Sequence, residues 1–242
     1  MSSFPFHFKQ FTVAQDRCAA KIGTDGVLLG AWTSLNYDPN SILDIGTGTG
    51  IIALMLAQRN FAQTIDALEL DDNAYEQASE NFETSDWGDR LFCYHAHLHE
   101  FALEIDEQYD LIVCNPPFYK NAFQTQDEAR NKARFEDAMP FNLLVGAVIK
   151  LLSPTGTFNV ILPFEEEESF IYLCAQGDLI PTRITHVKGT PTTNIKRSLL
   201  EFRFRESVTA TKPQTNILTI EEARHIYTQE YINLTKDFYL KM

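Results

Sequence analysis

In the stretch Cys114-Asn115-Pro116-Pro117-Phe118-Tyr119-Lys120, an amide, two prolines and an aromatic follow directly on YDLIV, a run that reads as a buried strand. Proline has no backbone N–H and a fixed φ, so NPP leaves the sheet and holds its carbonyls rigidly where the strand stops. The Asn115 side-chain oxygen and the Pro116 carbonyl are two acceptors that could take both hydrogens of a planar exocyclic amine. Such an amine is a poor nucleophile because its lone pair is delocalised into the ring. Held by two acceptors, its nitrogen is drawn toward tetrahedral geometry and the lone pair is released. Pro117 stiffens the turn, and Phe118 could stack on the flat face of a base that is single-stranded or flipped from its helix. The plainer alternative is a proline-rich turn with a core phenylalanine.

A second constellation, Asp44-Ile-Gly46-Thr-Gly48-Thr-Gly50, lies between a strand and a helix. Ligands of open α/β sheets bind at that edge. Glycines there clear side chains from a ligand's path, and the helix N-terminus offers N–H groups to an anion. A dinucleotide fingerprint needs a third glycine at 51 or 53, where this chain has Ile51 and Ala53. The spacing of Asp44, Gly46, Gly48 and Gly50 is the one used for S-adenosylmethionine. Glu69, ending the second strand, is placed to take ribose hydroxyls. As alternatives, the glycines are turn punctuation and Glu69 a solvated strand end. Taken with NPPF, the pair suggests transfer of a methyl group to an amine by in-line positioning, with no metal and no covalent intermediate.

Positioning these groups requires strands that end side by side, and from Ser41 the chain alternates as a parallel α/β sheet does. Strands are expected at 41–46, 64–70, 90–96, 109–115, 156–163, 181–188 and 197–206. Helices are expected at 51–59, 72–82, 138–152 and 165–176. Strands one and four are neighbours in this class, so Asn115 would face the cofactor. EEEE at 165–168 reads as a solvated helix start. In the first 35 residues, FHFKQFTV is β-like, and Thr24 or Asp25 could cap a short helix. A long polar loop from Tyr119 to Asp137 follows NPPF, and loops of that length are commonly functional or disordered.

The chain has 242 residues and a net charge of −13, which excludes a protein that coats nucleic acid by bulk electrostatics. Any contact with RNA must be local, and two stretches could supply it, 120–134 and 183–205. Cys18, Cys93, Cys114 and Cys174 show no CxxC pairing, so neither a disulfide framework nor a zinc site is expected. No apolar run approaches the roughly 20 residues of a membrane span, and the first residues lack the apolar block of a signal peptide. A cytoplasmic protein without membrane attachment is expected.

DIGTGTG, LELD and CNPPF together resemble the class I S-adenosylmethionine-dependent methyltransferases of the amino-group type, whose (D/N/S)PP(Y/F/W) motif is catalytic. FKQFTVAQDRCAAKIGTDGVLLGAW and the closing LTKDFYLKM are similar to a narrower group, the bacterial tRNA adenine-N6 methyltransferases that act on adenine 37 beside the anticodon of a valine tRNA. The resemblance covers nearly the whole chain. It implies a Rossmann-like α/β fold: a seven-stranded, mostly parallel sheet with helices on both faces and a late antiparallel strand. It implies transfer roles for Asn115, Pro116, Pro117 and Phe118, and puts Thr24 and Asp25 near the cofactor. The partner it implies is the anticodon stem-loop of tRNA, met by a monomer.

One departure follows the third strand. The residue that usually contacts the cofactor adenine is acidic or an amide, and here YHAHLHEF puts His97 at that place. A polar strand edge explains the alternating His95, His97 and His99 better than a metal site, and a histidine donor to adenine is the other reading. We expect one methyltransferase domain over 1–242, with an N-terminal extension (1–35), a Rossmann-like core (36–210) and a C-terminal tail (211–242). Competing functions are guanine-N2 methylation of ribosomal RNA, glutamine methylation of a release factor, and a non-catalytic RNA-binding module.

Overall fold

The structure, a computed structural model, describes residues 4–117 and 139–242. Phe118 and the expected loop from Tyr119 to Asp137 lie outside the described residues. A short hairpin, β1 (Phe6–His7) and β2 (Thr12–Val13), precedes α1 (Thr24–Trp32). Then come β3 (Ser41–Ile45), α2 (Ile51–Arg59), β4 (Thr64–Glu69), α3 (Asp72–Glu83), β5 (Leu91–His95), α4 (Leu98–Glu104) and β6 (Tyr109–Cys114). Beyond residue 138 follow α5 (Phe141–Leu151), β7 (Leu152–Pro163), α6 (Glu167–Ala175), β8 (Leu179–Lys188), β9 (Ile195–Phe204) and β10 (Gln214–Thr219). The pair β11 (Glu221–Ala223) and β12 (Ile226–Tyr227) and then α7 (Gln229–Thr235) complete the chain.

The main sheet has the order β10-β8-β9-β7-β6-β3-β4-β5. Only β9 runs against the rest, so the expected late antiparallel strand is present. The class is the expected Rossmann-like one, but the strand count is eight and not seven. The extra strand is β10, from the segment read as a tail, which adds parallel to β8. Its sequence QTNILT is mostly exposed at the sheet edge, so it carries no apolar run that would announce it.

Both faces are covered, which is why the central strands read as continuous apolar runs and not as alternation. Residues of α1, α2, α3 and α7 pack one face, and residues of α4, α5 and α6 the other. The chain ends join the first of these cores through Phe8, Phe11, Tyr231 and Phe238. Lys9 Nζ also donates to the carbonyls of Lys236 (2.5 Å) and Met242 (2.8 Å). Two local expectations are corrected. YHAHLHEF is not all strand edge, because Leu98, Phe101 and Ala102 recur at helical spacing and fold inward as α4. Neither Thr24 nor Asp25 caps α1; Gly23 holds the cap position, and both are the first helical residues.

From β3 the chain builds outward to β4 and β5, then returns to place β6 on the other side of β3. That reversal opens a crevice at the strands' carboxyl ends. Among the described residues, no helix is long and apolar enough to cross a membrane.

Candidate active site

Ile45 pairs with Cys114 on one side and with Leu68 on the other, so the segments leaving β3, β4 and β6 start at one level. The glycine segment, Glu69 and Asn115 therefore converge, as the expected adjacency of strands one and four requires. Asn115 is half-buried, Pro116 buried and Pro117 exposed.

The glycine loop is left-handed at Gly46, Gly48 and Gly50, with φ of 70°, 58° and 80°. A side chain would be strained at each, yet the surroundings differ. A Cβ on Gly48 would meet nothing within 4 Å, whereas one on Gly50 would lie 2.5 Å from the Phe82 ring. Among the described residues Gly48 thus borders open space, and Gly50 lets α3 pack against the loop. The N–H groups of Gly46 and Thr47 both donate to the Leu68 carbonyl at 2.9 Å.

Glu69 is tied to this loop from β4. Its Oε2 accepts from Gly48 N–H at 2.8 Å, and its Oε1 from Leu70 N–H at 2.8 Å and Asp71 N–H at 3.0 Å. Each carboxylate oxygen can accept further bonds, so capacity for hydroxyl donors is retained. Asp44 is fully buried. Its Oδ2 accepts from Thr47 Oγ1 (2.7 Å) and from Ala53 N–H (3.3 Å) in the first turn of α2, while its Oδ1 has no partner. Burial pushes the carboxyl up to about 7, against the pull of the Thr47 and Ala53 bonds. One of the α2 amides expected for an exogenous anion is thus taken by Asp44. Asp44 Oδ1 is a buried acceptor with no partner among the described residues, and a polar ligand that brought a donor would satisfy it.

Thr24 and Asp25 open α1, whose Gly26 lies against Ile51 at the start of α2. Asp25 is held by β9: its Oδ2 accepts from Arg197 Nε at 2.7 Å. His97 is the last residue before α4, half-buried, with its ring 5.5 Å from that of His99. It lies two residues past His95, which pairs with Glu69, and so sits at the β5 end of the crevice. His95 itself is stacked on Tyr75 and its Nε2 is 2.8 Å from the Leu70 carbonyl.

Two residues at this site escaped the sequence reading. Asn81 of α3 is buried and spends its whole amide on two distant backbone segments. Its Nδ2 donates to the carbonyls of Ala14 and Thr49, and its Oδ1 accepts from Ala14 N–H, all at 2.9 Å. It joins the N-terminal segment to the glycine loop. The signal was available, since Ala74, Gln77, Ala78, Asn81 and Phe82 form the buried helical stripe, and amides on such a stripe need partners. Met139 is the other: its Sδ is 4.0 Å from Cys114 Sγ, and its Cε would lie 3.6 Å from a Cβ on Gly46.

Residues 25–138 match the model of the methyltransferase small domain family. The chain is 60% identical over 237 residues to a tRNA1(Val) (adenine(37)-N6)-methyltransferase of Flavobacterium psychrophilum, covering 98% of this chain and 100% of that one. It is 45% identical over 243 residues to a protein of the same name from Trichodesmium erythraeum, covering 100% of each. Among solved structures, one described as a predicted O-methyltransferase from Agrobacterium tumefaciens superposes with a TM-score of 0.66 at 18% identity, over 88% of this chain and 96% of that one. A glycopeptide N-methyltransferase complexed with S-adenosyl-L-methionine gives 0.52 at 13% identity, over 77% and 97%. These two likenesses concern the fold alone.

Proposed function

Because the chain belongs to the tRNA1(Val) (adenine(37)-N6)-methyltransferase family, we propose that it methylates the exocyclic N6 of adenine 37, beside the anticodon of a valine tRNA, with S-adenosylmethionine as donor. The observation that carries this reading is the pairing of β3 with β6. It joins an amine-polarising Asn-Pro carbonyl pair to a glycine loop with an unpartnered buried acceptor. Full-length relatives supply the identity of the base and the RNA.

S-adenosylmethionine, when bound, supplies a methyl group activated by a sulfonium leaving group. Asp44 Oδ1, Gly46, Gly48 and Gly50 would hold its polar end, Glu69 would accept from ribose hydroxyls, and His97 would stand toward the adenine. Thr24 and Asp25 close the α1 side. Asn115 Oδ1 and the Pro116 carbonyl accept the two N6 hydrogens of the target, Pro117 keeps that carbonyl fixed, and Phe118 stacks on the base. The methylated nitrogen sheds its extra proton to solvent, so no carboxylate base is required. The protein acts as a cytoplasmic monomer on the single-stranded anticodon loop, where adenine 37 can leave its stack at small cost. Residues 1–242 work as one methyltransferase domain, with 1–35 and 211–242 as parts of it.

Purified protein, labelled S-adenosylmethionine and unmodified valine tRNA transcript should give label in the tRNA, and nucleoside mass spectrometry should find N6-methyladenosine. A transcript with guanine at position 37 should take up none. Label confined to ribosomal RNA or to protein would overturn the reading.

A further inference from the structure

The chain uses most of its described cations on itself. Lys21 Nζ donates to the carbonyls of Gln15, Asp16 and Cys18. Arg59 donates to Gly30 O, Arg90 to Ala57 O and Ala62 O, and Lys150 to Leu103 O. Arg17 pairs with Glu76 and Glu80. Among the described residues of a chain of net charge −13, this leaves few uncommitted positive groups for an RNA backbone.

Strand direction divides the basic stretch 183–205 in two. Because β9 is antiparallel, Arg203 and Arg205 lie at the edge away from the crevice. Arg203 Nη2 donates there to Thr155 O at 2.9 Å. Arg183 sits mid-strand, paired with Glu201 and 3.6 Å over the Trp32 ring. Lys188 and Lys196 instead fall at the crevice edge, on either side of the β8–β9 turn: Lys188 pairs with Ile195, and Lys196 lies at the register shift beside the Val187–Arg197 rung. Arg197 in turn pairs with Pro163, three residues past Val160, which pairs with Cys114. The hairpin therefore leaves the sheet level with NPP, two to three strands away, roughly 10–14 Å at the usual strand spacing.

From Lys188 to Arg197 the sequence KGTPTTNIKR contains no acid. Arg197 is committed to Asp25. Among the described residues, Lys188 and Lys196 make no ion pair. Glu221 comes close through its backbone, whose N–H donates to Gly189 O at 2.9 Å, but its Oε1 accepts from His225 N–H. The hairpin is also braced. Thr193 Oγ1 donates to Thr190 O at 2.9 Å across the turn. Below it, Glu167 Oε2 accepts from Ser198 Oγ and lies 2.8 Å from His186 Nε2. Glu167 is thus not the solvated helix-start charge its EEEE run suggested.

We propose that this hairpin, through Lys188 and Lys196, holds the phosphate backbone beside the target base, with its threonines and Asn194 as added donors. Phosphates are the partner that two unpaired ammonium groups on a rigid polar turn fit. The inference rests on the reading of the substrate as tRNA, and it gives that reading a docking edge.

The test uses the full chain with Lys188→Gln and Lys196→Gln combined, and Lys212→Gln as a control from the opposite edge. Valine tRNA binding is titrated between 50 and 200 mM salt, alongside methylation kinetics. The double variant should bind about tenfold more weakly. Its log–log salt slope should be shallower by roughly 1.4 to 1.8, at 0.7 to 0.9 per phosphate. The kcat at saturating tRNA and the affinity for S-adenosylmethionine should stay within about twofold, and Lys212→Gln should match wild type. Arginine at both positions should restore binding, which a folding defect would not allow. A double variant with wild-type affinity and slope overturns the docking edge while leaving the functional reading intact. Wild-type protein that binds the tRNA without methylating it overturns the functional reading, and the slope comparison still decides the docking edge.

Discussion

The two halves of the crevice treat their polar groups in opposite ways. Around β3 and β4 nearly every polar atom is bound to the protein's own backbone: both Glu69 oxygens, Asp44 Oδ2 and the whole Asn81 amide. Among the described residues of β3 and β4, Asp44 Oδ1 is the buried exception. Around the β8–β9 hairpin, two ammonium groups stand without ion pairs among the described residues. On the proposed function, the first half is a preformed mould for S-adenosylmethionine. On the proposed docking edge, the second accepts a large, charged, hydrated chain, and groups already satisfied internally would have nothing to offer it. Preorganisation suits the former because donors fixed before binding cost no reorganisation when the ligand arrives.

If the halves are separable, their variants should fail differently, and the largest failure should follow Asn115→Ala. On the proposed function, the acceptor lost is one that matters when the amine nitrogen becomes tetrahedral. Turnover should fall about 100- to 1,000-fold, the range for removing one preorganised transition-state contact. Affinity for S-adenosylmethionine, measured by calorimetry, should stay within about threefold. Unchanged turnover would remove Asn115 from its role, and a parallel loss of cofactor affinity would merge the two halves.

Asn81→Leu is the converse. It leaves the Ala14 and Thr49 carbonyls and the Ala14 N–H without partners, at about 1–3 kcal/mol for each buried group left unsatisfied. The loop and the N-terminal segment relax to regain water, and cofactor affinity should fall by tens of fold. The kcat at saturating cofactor should move far less. Asn81→Asp keeps the acceptor for Ala14 N–H and loses both donors, so a similar loss of affinity would assign the effect to the bonds and not to side-chain bulk. A lowered kcat with unchanged cofactor affinity would refute the division.

What the sequence revealed follows the same split. DIGTGTG, Glu69 and NPP were legible because each makes a local demand, for left-handed backbone or for an abrupt strand end. The apolar runs around them fixed β3, β4 and β6. Asn81 was not read, because its partners are 32 and 67 residues away and only the fold brings them together. Lys188 and Lys196 were visible as charges but not distinguishable from Arg203 or Arg205, since only the antiparallel direction of β9 sorts them onto opposite edges. β10 was missed for a third reason: an edge strand with exposed faces needs no hydrophobic pattern.

The subtlest prediction concerns Asp44, the one group in the moulded half that remains unsatisfied. Its carboxyl is raised to about 7 by burial, so the folded chain holds a proton that the unfolded chain releases near 4. Stability without ligand should therefore decline as pH rises from about 4 to 7 and level off above that. At its steepest the decline is about 1.4 kcal/mol per pH unit, which for a chain of this size moves Tm by roughly 3–6 °C per unit. Asp44→Asn should flatten the profile. Saturating S-adenosylmethionine should flatten it too, because a donor delivered to Oδ1 stabilises the carboxylate and draws its pKa back toward the usual range. Parallel profiles for wild type and variant would mean that the buried carboxyl titrates no differently in the two states. A profile flattened by the substitution but not by the cofactor would mean that Oδ1 is not where the ligand binds.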